Sequence, residues 1–453
     1  MARELGRAHT RGIGSRLLDV GLAAAVAASL CACSGPLAGL PHIRNPFAKK
    51  EEILPGERIA VITDPGVNDL NQGGPPKPVS LPPPQTNASW TEPGGTASNN
   101  LGHLALADQV QKVWSADAGT GSSSSGRLSA MPLVAGGRVY TLDAGGTVSA
   151  FSSANGGREW SVSVTPENEK RKEGFGGGLA LDGGRLYATT GYGTVLGIDP
   201  SNGAIVWTKT VGEPVRSSPT ASGGKVFFVS ADNTLHALNG GDGTELWTAR
   251  GLPQVATLLS NVSPAVSAGV VVAPFPAGDV AAYDVTTGKA SWTDSLSRST
   301  ETTAAGILGD PARPVIDKGV VFAVSHGGKM IATSESNGER LWTRNIGSTQ
   351  MPWVAGDTVY VVDLGGKLWA LSRSDGAVRW ATDLPPGGRW SGPVLAGGRL
   401  WLVSGDGLLI GADARSGQVL SNLDLGTAVY VSPVVAGGRM YILADNATLI
   451  ALN

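Results

Sequence analysis

Cysteine is almost absent from these 453 residues: Cys31 and Cys33 are the two there are, both within the first 35 positions. No disulfide and no cysteine-based metal site can form in the rest of the chain. An excess of one charge is missing too, with 35 Lys and Arg against 37 Asp and Glu and a net charge of −2. No basic surplus exists to displace the counterions of a nucleic acid, and there is no acidic tail. Aromatics are 6% and charged residues 16% of the chain. After residue 110 no stretch repeats its apolar positions at the spacing of an amphipathic helix. Gly-x-Ser-x-Gly and Walker-type loops are absent, so the common signatures of acyl and phosphoryl transfer have nowhere to sit. The five histidines are His9, His42, His103, His236 and His326. His236 and His326 fall within the repeats described below. Neither has a His, Cys or acidic cluster at ligand spacing, so both read as structural or surface groups.

What the chain has in quantity is glycine, 65 residues. Pro132 to Trp160 (PLVAGGRVYTLDAGGTVSAFSSANGGREW) shows how it is used. Four short runs of β-branched, aromatic and aliphatic residues are cut at Gly136/Gly137, Gly145/Gly146 and Gly156/Gly157. That pattern reads as four antiparallel strands joined by tight turns. Tyr140 and Leu142 lie on one face and Val139 and Thr141 on the other, so both faces of this small sheet need cover.

The chain supplies the cover by repetition. A polar turn with Gly, then a strand ending in Trp, recurs at Asp199–Trp207, Asn239–Trp247, Asp284–Trp292, Glu335–Trp342 and Arg373–Trp380. A second phrase precedes it each time, as in GGRLY at 183–187 and GDTVYVV at 356–362. A period of roughly 40–50 residues with four strands per unit marks a β-propeller blade. Seven units are complete, the last with Leu420 in the Trp position, and an eighth, Pro433 to Asn453, stops after three strands. An orphan strand, Gln109 to Ala116, lies ahead of the first full unit. Pairing it with the C-terminal three strands closes an all-β, eight-bladed ring over residues 105–453 and removes its open edges. In this reading the repeated Trp residues pack blade on blade. Asp199, Asp284 and Asp413 cap backbone N–H groups of turns.

Residues 1–32 have the layout of a secretory signal: Arg3, Arg7, Arg11 and Arg16, then the apolar run Val20 to Leu30, then small residues. The run is too short to cross a bilayer. Leu30-Cys31-Ala32-Cys33 resembles a bacterial lipobox, which would place a lipid on Cys33 and cleavage ahead of it; the other reading is an ordinary signal peptide with incidental cysteines. Residues 33–104, lipidated at Cys33 and rich in Pro, Gly, Ser, Asn and Thr, read as a tether unable to bury enough apolar surface to order itself. Glu57 to Thr63 (ERIAVIT) interrupts it, as a small strand, a docking peptide or a solvated apolar patch.

Two connections exceed what compact hairpins need, Ser163 to Gly178 and Asp294 to Pro314, and long loops on a rigid scaffold are where binding resides. The first is charged and Gly-rich, a lid or a solvated loop. The second carries the apolar pair Ile307-Leu308.

The repeat phrase is similar to that of the pyrroloquinoline-quinone-type propeller family, which includes quinoprotein dehydrogenases and the BamB-like outer-membrane assembly lipoproteins. The dehydrogenases usually carry an adjacent-cysteine pair and an acid/amide cluster for calcium, neither of which is found here. The BamB-like branch has a lipobox, one eight-bladed domain closed by its first strand, and no cofactor site. That resemblance implies a non-catalytic scaffold with no cofactor and no metal. It also implies a lipid anchor in the outer membrane facing the periplasm, since Ser34 rather than Asp follows Cys33. The implied partners are a BamA-like protein with POTRA domains and other lipoproteins of the assembly machinery. By the same resemblance the partner-binding positions are Thr257, Leu258, Leu259, Ser260 and Asn261 in one loop, with no Arg following the leucines, and Glu301 and Asp310 in the next, beside Ile307 and Leu308. The alternative is a periplasmic quinoprotein-like dehydrogenase or ligand-binding propeller.

Overall fold

The computed structural model describes residues 77–453, apart from 125, 171–173, 252–260, 268, 277 and 297–310. Every regular element among the described residues is a β-strand. They form eight four-stranded antiparallel sheets arranged as blades of a propeller. Blade 1 is typical: Leu133–Ala135, Arg138–Leu142, Thr147–Ser152 and Arg158–Ser163, paired in sequence order. Blades 2 to 7 repeat it over residues 177–210, 220–250, 265–295, 315–344, 353–383 and 390–424. The Gly136/Gly137 cut is a turn with both residues at positive φ, 57° and 78°, the twist that matches a two-residue hairpin to its strands. Val139, Tyr140, Thr141 and Leu142 are all buried, so neighbouring blades cover both faces.

Blade 8 is assembled from the two ends of the described chain. Its inner strands are Val434–Ala436, Arg439–Leu443 and Thr448–Leu452, and its outer strand is Lys112–Asp117. Trp114 pairs with Ala451 and Asp117 with Thr448, while Gln111 and Asn453 exchange both backbone hydrogen bonds.

Each outer-strand Trp docks on the next blade. Trp207 donates its indole N–H to the Gly240 carbonyl of blade 3 at 3.0 Å. Trp160, Trp247, Trp292, Trp342 and Trp380 do the same one blade further on, and Trp114 carries the pattern from blade 8 to blade 1. The turn beneath each ring holds a Gly at positive φ. A Cβ on Gly243 (φ 75°) would stand 2.6 Å from Trp207, and one on Gly156 equally close to Trp114. Blade 7 corrects the sequence reading: the strand register puts Ser421, opposite Gly411, in the place that Trp holds in the other blades, and Leu420 is the outward-facing residue before it, exposed like Val206, Leu246 and Leu341.

The described part of the expected tether is not a tether. Residues 85–104 run once around the lower mouth of the central channel, touching the inner edges of all eight blades. Asn87 bonds to Gly437 and Val435 of blade 8, and Trp90 exchanges two hydrogen bonds with Val134 of blade 1. The Thr91 carbonyl accepts from Leu181 of blade 2, and a Glu92 carboxyl oxygen accepts from Ala221 of blade 3. The carbonyls of Ala97 and Ser98 accept from Val266 and Ile316 of blades 4 and 5. Trp353 of blade 6 donates to the Gly102 carbonyl, and Leu104 bonds to Leu395 and Gly397 of blade 7. Trp90 and Leu104 are 1% exposed, and Trp90 stacks on Trp353 with centroids 6.2 Å apart. Hydrogen bonding through the backbone lets a Gly-, Ser- and Asn-rich segment order itself without a large apolar content. Gly95, Asn99 and Gly102, at φ 93°, 57° and 64°, make its turns.

Candidate functional site

Antiparallel order sorts the connections onto two faces. The tight turns between first and second strands and the polar turns that receive each Trp lie on one face. The turns between second and third strands and the connectors between blades lie on the opposite one. The strap formed by residues 85–104 closes the channel at the first face, where its Asn87 and Leu104 meet the Gly437 and Gly397 turns. The upper face therefore presents the long connectors.

Of the sequence-derived site residues, Cys33, Thr257, Leu258, Leu259, Ser260, Glu301, Ile307, Leu308 and Asp310 lie outside the described residues. Asn261 is described, and its side chain faces into the ring. Its Oδ1 accepts from the Ser218 backbone N–H (3.0 Å) and hydroxyl, and its Nδ2 donates to the Gly177 carbonyl and to Ser129 Oγ. Asn261 thus ties its own blade 4 to blades 1, 2 and 3 across the channel. It is a base for the loop that precedes it, and its amide is already engaged.

The same node gathers two arginines that sequence reading passed over. Arg313, at the end of the connector into blade 5, donates from Nη2 to the Asn261 carbonyl at 2.6 Å, and its Nε is buried without a partner. Burial pulls its guanidinium down to about 10. Arg216 lies over the Phe175 ring, 5.0 Å from its centroid, and its carbonyl accepts from Gly177. In sequence these residues are nearly 100 positions apart, and only the ring brings them to one mouth.

Between blades 5 and 6 the upper face has an open groove of about 370 Å³ lined by His326, Ile346, Asp363, Leu364 and Trp369 over a glycine floor. Trp369 donates to Asp363 Oδ2 at 2.8 Å, and Leu364 is 53% exposed. His236, read from sequence as a structural or surface group without a ligand cluster, meets one carboxylate through the fold. Its Nδ1 lies 3.5 Å from Glu245 and its Nε2 3.0 Å from Ser230 Oγ, which in turn bonds Asp232. The imidazole is buried and stacked on Phe228, and burial lowers its pKa despite Glu245. With Ser230 only 2% exposed, the cluster is packing between strands. No group of three His, Cys, Asp or Glu arranged to hold a metal occurs among the described residues.

A family model described as "Outer membrane protein assembly factor BamB" matches residues 86–173, 165–382 and 383–453. Among curated relatives, BamB of Nitrosomonas eutropha is 27% identical over 220 residues, 48% of this chain and 52% of that protein. BamB of Vibrio cholerae is 35% identical over 237 residues, 52% of this chain and 60% of the relative. The matches thus span little more than half the length of these relatives. Among solved structures, BamB from Moraxella catarrhalis superposes with a TM-score of 0.62 at 18% identity, covering 76% of this chain and 98% of its own. A europium-containing methanol dehydrogenase gives 0.64 at 13% identity, covering 78% and 89%. At such identities the two structures share the propeller fold with this chain, and they belong to different functional classes.

Proposed function

The chain belongs to the family of the outer membrane protein assembly factor BamB, and on that premise we propose that it is a non-catalytic scaffold of outer-membrane β-barrel assembly. The observation that carries the reading is the family match, which runs from residue 86 to the last residue. The relatives that align with it over about half their length are named as assembly factors. In this account Cys33 bears a lipid that holds the protein at the outer membrane, facing the periplasm, after removal of residues 1–32. More than one acyl chain gives stable anchoring.

The ring is the rigid part of the mechanism. Its strap closes one face, so docking falls to the connectors of the other. Leu258 and Leu259 supply an apolar anchor, flanked by Thr257 and Ser260 and rooted at Asn261. Glu301, Ile307, Leu308 and Asp310 supply a second, acidic and apolar contact one blade later. The partner is a POTRA-containing protein of the BamA type, together with other lipoproteins of the machinery. A few buried apolar anchors dominate such interfaces.

The test is co-purification. Full-length protein is extracted from membranes through a tag linked after Asn453, and bound proteins are identified by mass. The wild type is expected to retain a POTRA-containing barrel protein. Leu258→Ala with Leu259→Ala is expected to lower its recovery at least about tenfold, the size of one lost anchor, with an unchanged melting temperature. Equal recovery with the double variant would remove these loops from the interface.

A further inference from the structure

The strap carries a single Asp, Glu, Lys or Arg between Gln85 and Leu104, and it is Glu92. The ring encloses it. Glu92 is 1% exposed, and its Oε2 accepts from the Ala221 N–H at 3.1 Å. From Pro93 to Thr96 no hydrogen bond links strap to ring among the described residues, so this carboxyl is the strap's polar tie to blade 3.

The surroundings are unsuited to a negative charge. Asp182, at the end of the inner strand Gly177–Asp182 of blade 2 and bonded to the Gly224 N–H, is near enough for its charge to oppose one on Glu92. Tyr187, on the neighbouring strand Arg185–Thr190, is close enough to feel both carboxyls, and Arg185 acts on the Tyr187 hydroxyl. Among the described residues no cation lies against Glu92. Burial drives its carboxyl well above the usual range; the Ala221 N–H opposes that and Asp182 adds to it. A buried carboxyl without a counter-charge holds its proton.

We propose that the strap is a protonation-dependent latch: with Glu92 neutral it stays seated across the lower mouth of the channel, and ionisation of Glu92 releases it and opens that mouth. The sign follows from linkage. A released strap ionises its Glu at an ordinary carboxylate pH, whereas a seated one resists. As pH rises above the ordinary value the released form therefore gains, about tenfold in population per pH unit, until the seated carboxyl also ionises. Release is local, because each blade keeps its own four strands when the strap leaves. Gly94 and Gly95 beside Glu92, and Gly102 near the far end, supply the hinges.

The experiment is cleavage of the full-length protein by chymotrypsin after Trp90 and Leu101, fragments read by mass, from pH 6 to 9.5. Each rate is divided by that of a free peptide with the sequence of residues 85–104. In the wild type the normalised rate is expected to climb with pH, by at least about tenfold across the range. Glu92→Gln, which keeps the acceptor and cannot ionise, is expected to give a flat line. Asp182→Asn removes the neighbouring charge without touching the strap, and its curve is expected to level off at lower pH and smaller extent. A wild-type strap that resists equally at all pH values overturns the latch, as does a Glu92→Gln strap that opens with pH as the wild type does. Should Glu92→Gln fail to seat even at pH 6, Asp182→Asn decides: a curve identical to wild type overturns the proposal.

Discussion

Trp207 shows how one residue holds two blades in register. Its ring lies on Gly243, its N–H bonds the Gly240 carbonyl, and Tyr187 packs 6.1 Å from it within its own blade. Trp207→Leu deletes the hydrogen bond and much of the contact, and is expected to cost about 2–4 kcal/mol. Gly243→Ala forces a Cβ into the ring at a φ of 75°, and is expected to cost about 1–3 kcal/mol from strain and overpacking. Denaturant melts measure both. The role of the repeated Trp residues was legible in the sequence because one side chain recurs at one place. So was the capping by Asp284, whose Oδ1 accepts from Thr286 and Thr287 and whose carboxyl those bonds hold below its ordinary range. The environment of His236 was not legible. Glu245 is nine positions away in sequence and reaches it only through strand pairing.

Among the elements, the strap is where composition misleads. Pro, Gly, Ser and Asn argue for disorder when a segment must order itself by burying side chains. This one is ordered by the unpaired inner edges of eight sheets, and it buries only a few large groups, Trp90 and Leu104 foremost. No sequence signal short of the assembled ring marks that surface. A chain beginning at Ala105 retains the outer strand of blade 8 and loses the strap. It is expected to fold as a propeller with stability lower by several kcal/mol, given roughly 1.5–3 kcal/mol for each large apolar side chain uncovered. A melting temperature equal to that of the full chain would mean that the strap contributes nothing to the ring. Strand positions, by contrast, were readable almost throughout, since period-two runs between Gly-Gly turns leave little freedom of register.

At the scale of the whole molecule, closure is the organising fact. The eight-bladed ring closes on itself, and its blade 8 joins the strand Lys112–Asp117 to the C-terminal strands. The count of blades and this joining were legible because the last repeat lacks one strand and the first is preceded by one. The face available to a partner was not, because it depends on which mouth the strap covers. A rigid body with one mouth closed and long connectors around the other suits docking, and the proposed role in barrel assembly rests on family membership. The most direct test is made in the organism that encodes the chain: the protein is depleted and the outer-membrane fraction quantified by mass spectrometry. The account predicts a fall in β-barrel proteins relative to lipoproteins of the same membrane, restored by the wild type and not by Leu258→Ala with Leu259→Ala. An outer membrane with unchanged barrel content after depletion would contradict it.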